Sequence, residues 1–182
     1  MLYSSDSPNK VAMGVAFGFF WGLTPTVGIQ ITGLGLQKAM TYFLNKICAG
    51  RLCRLEFNFP LAVALTWISN PFTMLFLYFG YYYLGALILP GYDAMGWSEF
   101  STLLDPLTEV TGLLGSLGEM GVYFSHLWNV LRGIGDQVLI PLLFGSLLIA
   151  IPFSVAGYFW VRWWLFQLRS RRERKLNPVL QS

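Results

Sequence analysis

Long apolar stretches alternate with charged segments along this chain. Residues 11–37, 57–92 and 137–161 contain no Asp, Glu, Lys or Arg. Each stretch is long enough to enter a bilayer, because about 20 apolar residues cross the hydrocarbon core. The pattern predicts an all-α membrane protein, a small helical bundle that forms a single membrane domain over residues 1–182. Residues 137–161 are predicted to be its one clear C-terminal transmembrane helix.

Two of the stretches contain a helix-start signal in their middle. Thr24-Pro25 lies in the first stretch and Asn70-Pro71 in the second. A Thr or Asn side chain caps free N–H groups, and Pro suits the first helical position, so each pair predicts that a new helix begins there. At membrane depth such a break leaves backbone groups that are tolerated only against protein or a wet cavity. Two breaks in one small chain therefore predict a binding site.

The breaks divide these stretches into two predicted pairs of helices. Residues 11–44 are predicted to form a broken or re-entrant helix pair, and residues 57–92 a broken helix pair. The half-helices would direct N–H groups and positive dipole ends at a phosphate or carboxylate. The predicted substrate-binding residues are Thr24, Pro25, Thr26, Gln30, Asn70, Pro71 and Thr73. Helix capping is the alternative role of these side chains.

Glycine recurs at every fourth position just before the first break, at Gly14, Gly18 and Gly22. This spacing places the three residues on one helical face. Small residues on such a face let another helix approach closely. We predict that this glycine stripe is a helix-packing surface, either within one chain or between copies of it.

Charged residues are distributed asymmetrically along the chain. Residues 38–54 and the tail, residues 162–182, are basic, whereas residues 93–136 carry six acidic side chains and one Arg. The positive-inside rule places both basic segments, and with them the C-terminus, in the cytoplasm. The side of the N-terminus stays open, because one crossing by residues 11–37 puts it outside and a re-entrant hairpin keeps it inside. An apolar content of 55% and a mean hydropathy of +0.55 agree with a multi-pass membrane protein.

The acidic segment, residues 93–136, is predicted to be amphipathic and to lie on the outer surface. Asp105-Pro106 is a further helix-start signal, and apolar residues that follow it recur at helical spacing, with Glu109 and Glu119 on other faces. The predicted apolar face consists of Leu107, Val110, Leu114, Leu117, Phe124 and Leu131.

Sequence signals of catalysis or metal binding are sparse. His126 is the single histidine, and Cys48 and Cys53 form a lone pair in a predicted cytoplasmic loop, where reduced structural thiols are expected. We therefore predict no catalytic residue, no metal site and no cofactor. The alternative enzyme is a membrane-embedded aspartyl protease, in which Asp93 and Asp136 would share a proton and activate water.

Several short motifs resemble those of one bacterial family, the domain-of-unknown-function 2062 family (DUF2062). The motifs are residues 11–18, Gly22-Leu23-Thr24-Pro25, residues 58–62, residues 66–73 and residues 145–148. The resemblance covers most of residues 7–161 and implies a bacterial inner (cytoplasmic) membrane protein without an established activity. The chain departs from the family between Gln30 and Asn58, where it is longer by about four helical turns. Relatives in which a similar domain accompanies a lipid-linked-sugar glycosyltransferase imply a polyprenyl-phosphate lipid as partner.

Two functions of different class follow from these observations. The first is a transporter or flippase of a lipid-linked or small anionic substrate, which uses the half-helix N-termini at the two breaks. The second is a non-transporting membrane subunit or scaffold that docks a partner enzyme, such as a lipid-linked-sugar glycosyltransferase. The expected partners are membrane lipids, together with a second copy of the chain or a partner membrane enzyme. Nucleic acid is not expected, because a basic tail beside an apolar span is better explained by anionic lipid.

Overall fold

The computed structural model describes residues 6–26, 29–47, 56–103 and 135–176. Within these ranges all regular structure is helical, which confirms the predicted all-α class there. The helices are α1 (Pro8–Leu23), α2 (Gln30–Ile47), α3 (Phe59–Thr66), α4 (Pro71–Ile88) and α5 (Asp136–Leu176), and residues 97–103 are also helical. Most of the predicted amphipathic segment, residues 104–134 with His126, lies outside the described residues, as do Cys48 and Cys53.

The longest of these helices is α5, which contains 41 residues and is about 60 Å long at 1.5 Å per residue. Its part from Asp136 to Arg171 has a mean hydropathy of 2.4 in its most apolar window. Among the described residues, α5 is the one helix that is long and apolar enough to cross a membrane. The helix continues past residue 161 to Leu176, so the first part of the predicted basic tail is helical.

Several small side chains of α5 are buried, whereas many of its large apolar side chains are exposed. Ser146 and Ala150 are fully buried, and Ser154 is 8% exposed. By contrast Phe159 is 60% exposed and Trp160 is 69% exposed. The helix therefore directs most of its bulky apolar surface away from the rest of the chain.

The first of two compact units consists of Met1–Gly22, Thr26–Trp67 and Ala150–Ser182. Its core combines Leu34 of α2 and Ala62 of α3 with Phe57, which precedes α3. Phe17 of α1 meets the Phe57 ring edge-on, with the ring centroids 5.0 Å apart. In addition, Trp21 Nε1–H donates a hydrogen bond of 2.8 Å to Gln37 Oε1, which joins α1 to α2.

The second unit consists of Leu23–Pro25 and Ile68–Ile149. Its core is rich in aromatic side chains, because Tyr82 of α4 stacks on Phe100 with the ring centroids 5.0 Å apart. The Tyr82 hydroxyl also donates to the Asp93 carbonyl at 3.0 Å and accepts from the Met95 N–H at 2.9 Å. These two bonds hold the segment after α4 against that helix.

Candidate functional site

The first interruption separates α1 from α2. Helix α1 ends at Leu23, directly before Thr24-Pro25, because the residue before a proline is disfavoured in the α conformation. The Thr24-Pro25 pair predicts that the next helix begins at Pro25. This prediction is wrong, because α2 begins at Gln30. Its first turn is prepared by the Ile29 N–H, which donates to the Thr26 carbonyl at 3.1 Å.

The second interruption separates α3, which ends at Thr66, from α4, which begins at Pro71. The Asn70 Oδ1 accepts from the Thr73 N–H at 3.0 Å, and the Asn70 N–H donates to the Thr73 Oγ1 at 3.1 Å. This reciprocal arrangement is a capping box. The Thr73 hydroxyl donates in turn to the Ile68 carbonyl at 2.6 Å. The polar groups of Asn70 and Thr73 therefore stabilise the start of α4. This is the helix-capping role, the alternative to substrate binding for these side chains.

The predicted substrate-binding residues are divided between the two compact units. Thr24 and Pro25 belong to the second unit together with Asn70, Pro71 and Thr73. Thr26 and Gln30 belong to the first unit. Thr24 and Gln30 at the first interruption are both buried, each with 7% of its surface exposed, and Ser69 at the second interruption is also 7% exposed. Both interrupted stretches therefore place polar side chains in protein surroundings.

The glycine stripe lies against α3 within the first unit. A Cβ on Gly14 would stand 2.7 Å from the Asn58 carbonyl oxygen, and one on Gly18 would stand 2.7 Å from the Leu65 Cβ. A Cβ on Gly22 would stand 2.7 Å from the Leu65 carbonyl oxygen. Real Cβ atoms do not make such contacts, so these glycines permit α1 and α3 to approach closely.

A polar cluster that sequence reasoning missed forms around Asp6, just before α1. The Asp6 carboxylate accepts from Lys10 Nζ at 2.7 Å and from Asn58 Nδ2 at 2.8 Å. Asn58 also caps α3, because its Oδ1 accepts from the Leu61 N–H at 3.0 Å. The Asp6 carbonyl accepts from Arg169 Nη2 at 2.5 Å. The one sequence signal for the cluster is Asn58-Phe59-Pro60, which reads as a further cap with proline in the first helical turn.

The ion pair between Asp6 and Lys10 shifts the pKa values of both side chains. The hydrogen bond from Lys10 lowers the pKa of Asp6 below its usual 3.8, and Asn58 contributes a further hydrogen bond in the same direction. The hydrogen bond to Asp6 raises the pKa of Lys10. Both side chains are partly accessible to solvent, so screening limits the strength of the pair.

Two cavities along α1 and α5 of the first unit also have no signal in the sequence pattern. The first, of about 420 Å³, is lined by four α1 side chains, five α5 side chains and Gln37. The second, of about 440 Å³, is lined by Pro8 and Asn9 at the start of α1 and by Arg162, Trp163 and two Phe residues of α5. Residues more than 110 positions apart along the chain form their walls, and local sequence patterns do not predict contacts over such a separation.

Asp93 and Asp136, the carboxylates of the alternative protease, are both exposed. Asp93 follows α4 with its carbonyl bonded to Tyr82, and Asp136 is the first residue of α5. An exposed aspartate at a helix start is favoured by the helix dipole without any catalytic role. No group of three or more His, Cys, Asp or Glu side chains among the described residues could hold a metal ion.

These features define an all-helical protein, over its described part, with one membrane-length helix and polar interruptions between shorter apolar helices. The family model described as "Uncharacterized protein conserved in bacteria (DUF2062)" matches residues 1–175. The chain therefore belongs to the DUF2062 family, which confirms the resemblance that its motifs indicate. Among curated proteins and among solved structures, no match was found.

Proposed function

We propose that this protein is an integral membrane protein that moves an anionic or lipid-linked substrate, as a transporter or flippase. The observation that carries the proposal is the burial of polar side chains at helix interruptions inside uncharged stretches. Thr24 and Gln30 flank the first interruption, and Ser69, which is 7% exposed, precedes α4 at the second. Buried polar groups and discontinuous helices are common where transporters bind their substrates.

Membrane insertion is supported by the outward-facing apolar surface of α5. Most of its bulky apolar side chains are exposed, while the small side chains of Ser146, Ala150 and Ser154 are buried, which is the reverse of a helix on the surface of a soluble protein. Trp160, Trp163 and Trp164 beside Arg162 suit the interface between hydrocarbon and water. We place the protein in the bacterial inner membrane with the basic end of α5 in the cytoplasm.

A re-entrant arrangement of α1 and α2 is supported by the contacts at the start of α1. The Asp6 carbonyl bonds to Arg169 in the basic part of α5, so the N-terminal residues lie beside the predicted cytoplasmic end of that helix. Lys38 of α2 donates to the Phe57 carbonyl at 3.3 Å, next to Asn58, whose N–H bonds to the Lys10 carbonyl. Since α1 is only about 24 Å long, a hairpin that enters and leaves on the cytoplasmic side fits these contacts.

The proposed topology predicts that both ends of the described chain face the same compartment. In a Cys48→Ser, Cys53→Ser background, Ser7→Cys and Arg171→Cys should both be labelled by a membrane-impermeant maleimide from the cytoplasmic face of oriented vesicles. Glu99→Cys, which lies between α4 and α5, should be labelled from the opposite face. Labelling of Ser7→Cys and Arg171→Cys from opposite faces would contradict the re-entrant hairpin.

Substrate recognition in this proposal relies on neutral donors and helix dipoles. The apolar stretches carry no basic side chain, so an anion would be held within the second unit by the positive end of α4 and by the Asn70 and Thr73 side chains at that end. Such a site binds its substrate weakly, which favours release after transport. Lipid-linked anions fit it because their hydrocarbon part can stay in the bilayer.

Substitutions of Asn70 test the proposed transport site directly. Asn70→Asp keeps an acceptor for the Thr73 N–H but adds a negative charge at the proposed anion position, so we expect transport to fall about tenfold. Asn70→Ser keeps a neutral cap and should retain transport. The measurement is movement of a fluorescent phosphatidylglycerol, and separately of phosphate, in proteoliposomes. Equal rates for wild type and Asn70→Asp, or rates equal to those of empty liposomes, would overturn the proposal.

The second candidate function, a subunit that docks a partner membrane enzyme, is favoured by one face of α2. Leu36, Met40, Phe43 and Ile47 recur at helical spacing, and each is more than half exposed. A helix of the partner enzyme would cover this stripe, and the interruptions would then only shape the fold. Absence of transport in the proteoliposome assay, combined with a stable complex that Met40→Asp dissolves, would favour this function.

A further inference from the structure

The two cavities along α1 and α5 of the first unit adjoin at Phe159, which lines both of them. On α5 the lining residues extend from Ile151 to Phe166, a distance of about 22 Å at 1.5 Å per residue. We name the two adjoining cavities the α1/α5 groove.

The first cavity of the α1/α5 groove has an apolar wall. Two of its three polar side chains have partners, because the Ser154 hydroxyl donates to the Ala150 carbonyl at 2.6 Å and Gln37 Oε1 accepts from Trp21; the third is Tyr158. The remaining wall includes Met13 and Phe17 of α1 and Val155 of α5. Such a wall offers little to a polar ligand and suits a hydrocarbon chain.

The second cavity adds a cation to the groove. Arg162 is exposed, and its guanidinium lies over the Tyr158 ring at 6.0 Å from the centroid. Among the residues that the structure describes, no carboxylate lies within ion-pair distance of Arg162. The Asp6 carboxylate is bonded to Lys10 and Asn58. Arg162 is therefore available to an external anion, and a guanidinium fits a phosphate with paired hydrogen bonds.

We propose that the α1/α5 groove binds one anionic phospholipid of the surrounding membrane, with an acyl chain in the first cavity and its phosphate on Arg162. Charge and size both support this occupant. One leaflet contributes about 15 Å of hydrocarbon, and the 22 Å groove accommodates that length together with a headgroup. Trp163 beside Arg162 suits the level of the headgroups. The inference rests on the membrane insertion in the proposed function but is independent of transport.

The test is native mass spectrometry of the full chain released from nanodiscs that contain equal amounts of phosphatidylglycerol and phosphatidylcholine. We expect one retained phosphatidylglycerol per chain. Arg162→Gln should weaken its retention about tenfold, the loss expected for charge-assisted hydrogen bonds to phosphate. Ala16→Leu, which fills the first cavity, should weaken retention of either lipid. The matched controls are Arg171→Gln and Ala156→Leu, because both residues are exposed on α5 and neither lines the groove.

The outcomes separate this site from the proposed function. Loss of the lipid in Arg162→Gln and Ala16→Leu, with retention in both controls, supports the site. Equal retention in Arg162→Gln and Arg171→Gln, or equal retention of the two lipids by the wild type, overturns it. A dimer whose interface excludes lipid from the groove also overturns it. In each case the transport rate of Arg162→Gln in proteoliposomes reports separately on the proposed function, which does not use Arg162.

Discussion

Gly85→Ala is expected to lower the melting temperature of the protein by about 6–12 °C. Within the second unit, a Cβ on Gly85 would overlap the Pro141 carbonyl group of α5. Gly145 of α5 has the reciprocal contact with the Tyr81 carbonyl group of α4. Because the obstacle is backbone, no side-chain rotation can relieve it, and α4 and α5 must separate. We expect a loss of about 3 kcal/mol, and each kcal/mol corresponds to about 2–4 °C in a chain of this length.

Gly80→Ala is the matched control on the same helix. A Cβ at Gly80 would meet no atom within 4 Å, so Ala should only improve helix propensity, by about 1 kcal/mol. Gly80→Ala is thus expected to raise the melting temperature, whereas Gly85→Ala, five residues further along the helix, is expected to lower it. Thermal unfolding of both variants in one detergent measures this difference. A Gly85→Ala variant that melts at or above the wild-type temperature would show that α4 and α5 do not pack at this point.

The places where helices end and begin were predictable where a local signal determines them. Thr24-Pro25 predicts an interruption and α1 ends at Leu23, while Asn70-Pro71 predicts a helix start and α4 begins at Pro71. Caps and prolines act within one turn, so the sequence contains all the information they need. The start of α2 at Gln30 is different, because no cap and proline pair stands directly before it.

Contacts between distant segments could not be predicted in the same way. Period-four spacing identified the glycine stripe as a packing surface, but nothing in that spacing names α3 as its partner. Gly85 and Gly145 have no such repeat, although each allows a helix to approach another one closely. The bond between Asp6 and Arg169 joins residues 163 positions apart, and Arg169 in the sequence is one of several basic tail residues. The sequence alone does not indicate which of these basic residues bonds to Asp6.

Asn58→Asp is expected to lower the melting temperature at pH 7 by about 4–12 °C. The aspartate keeps the acceptor for the Leu61 N–H but replaces the donor that bonds Asp6 with a second carboxylate. The lost charge-assisted hydrogen bond costs about 1.5–3 kcal/mol, and repulsion between the carboxylates adds to it. A favourable interaction of the new charge with the start of α3 offsets only about 0.3–1 kcal/mol.

The pH dependence of the melting temperature distinguishes repulsion between the two carboxylates of Asn58→Asp from a weakened N-cap of α3. In the wild type, the lowered pKa of Asp6 stabilises the fold above the unfolded value of 3.8, and this contribution is lost as the pH falls through the folded value. In Asn58→Asp, two adjacent carboxylates raise the pKa of one of them, and its protonation restores an O–H donor between the two groups. The penalty is therefore present at pH 7 and removed as the pH falls. The gap in melting temperature between wild type and variant should narrow from pH 7 to about pH 4. A gap that is constant over this range would mean that the Asp6–Asn58 bond does not stabilise the fold, and that the cap of α3 alone accounts for the effect of the substitution.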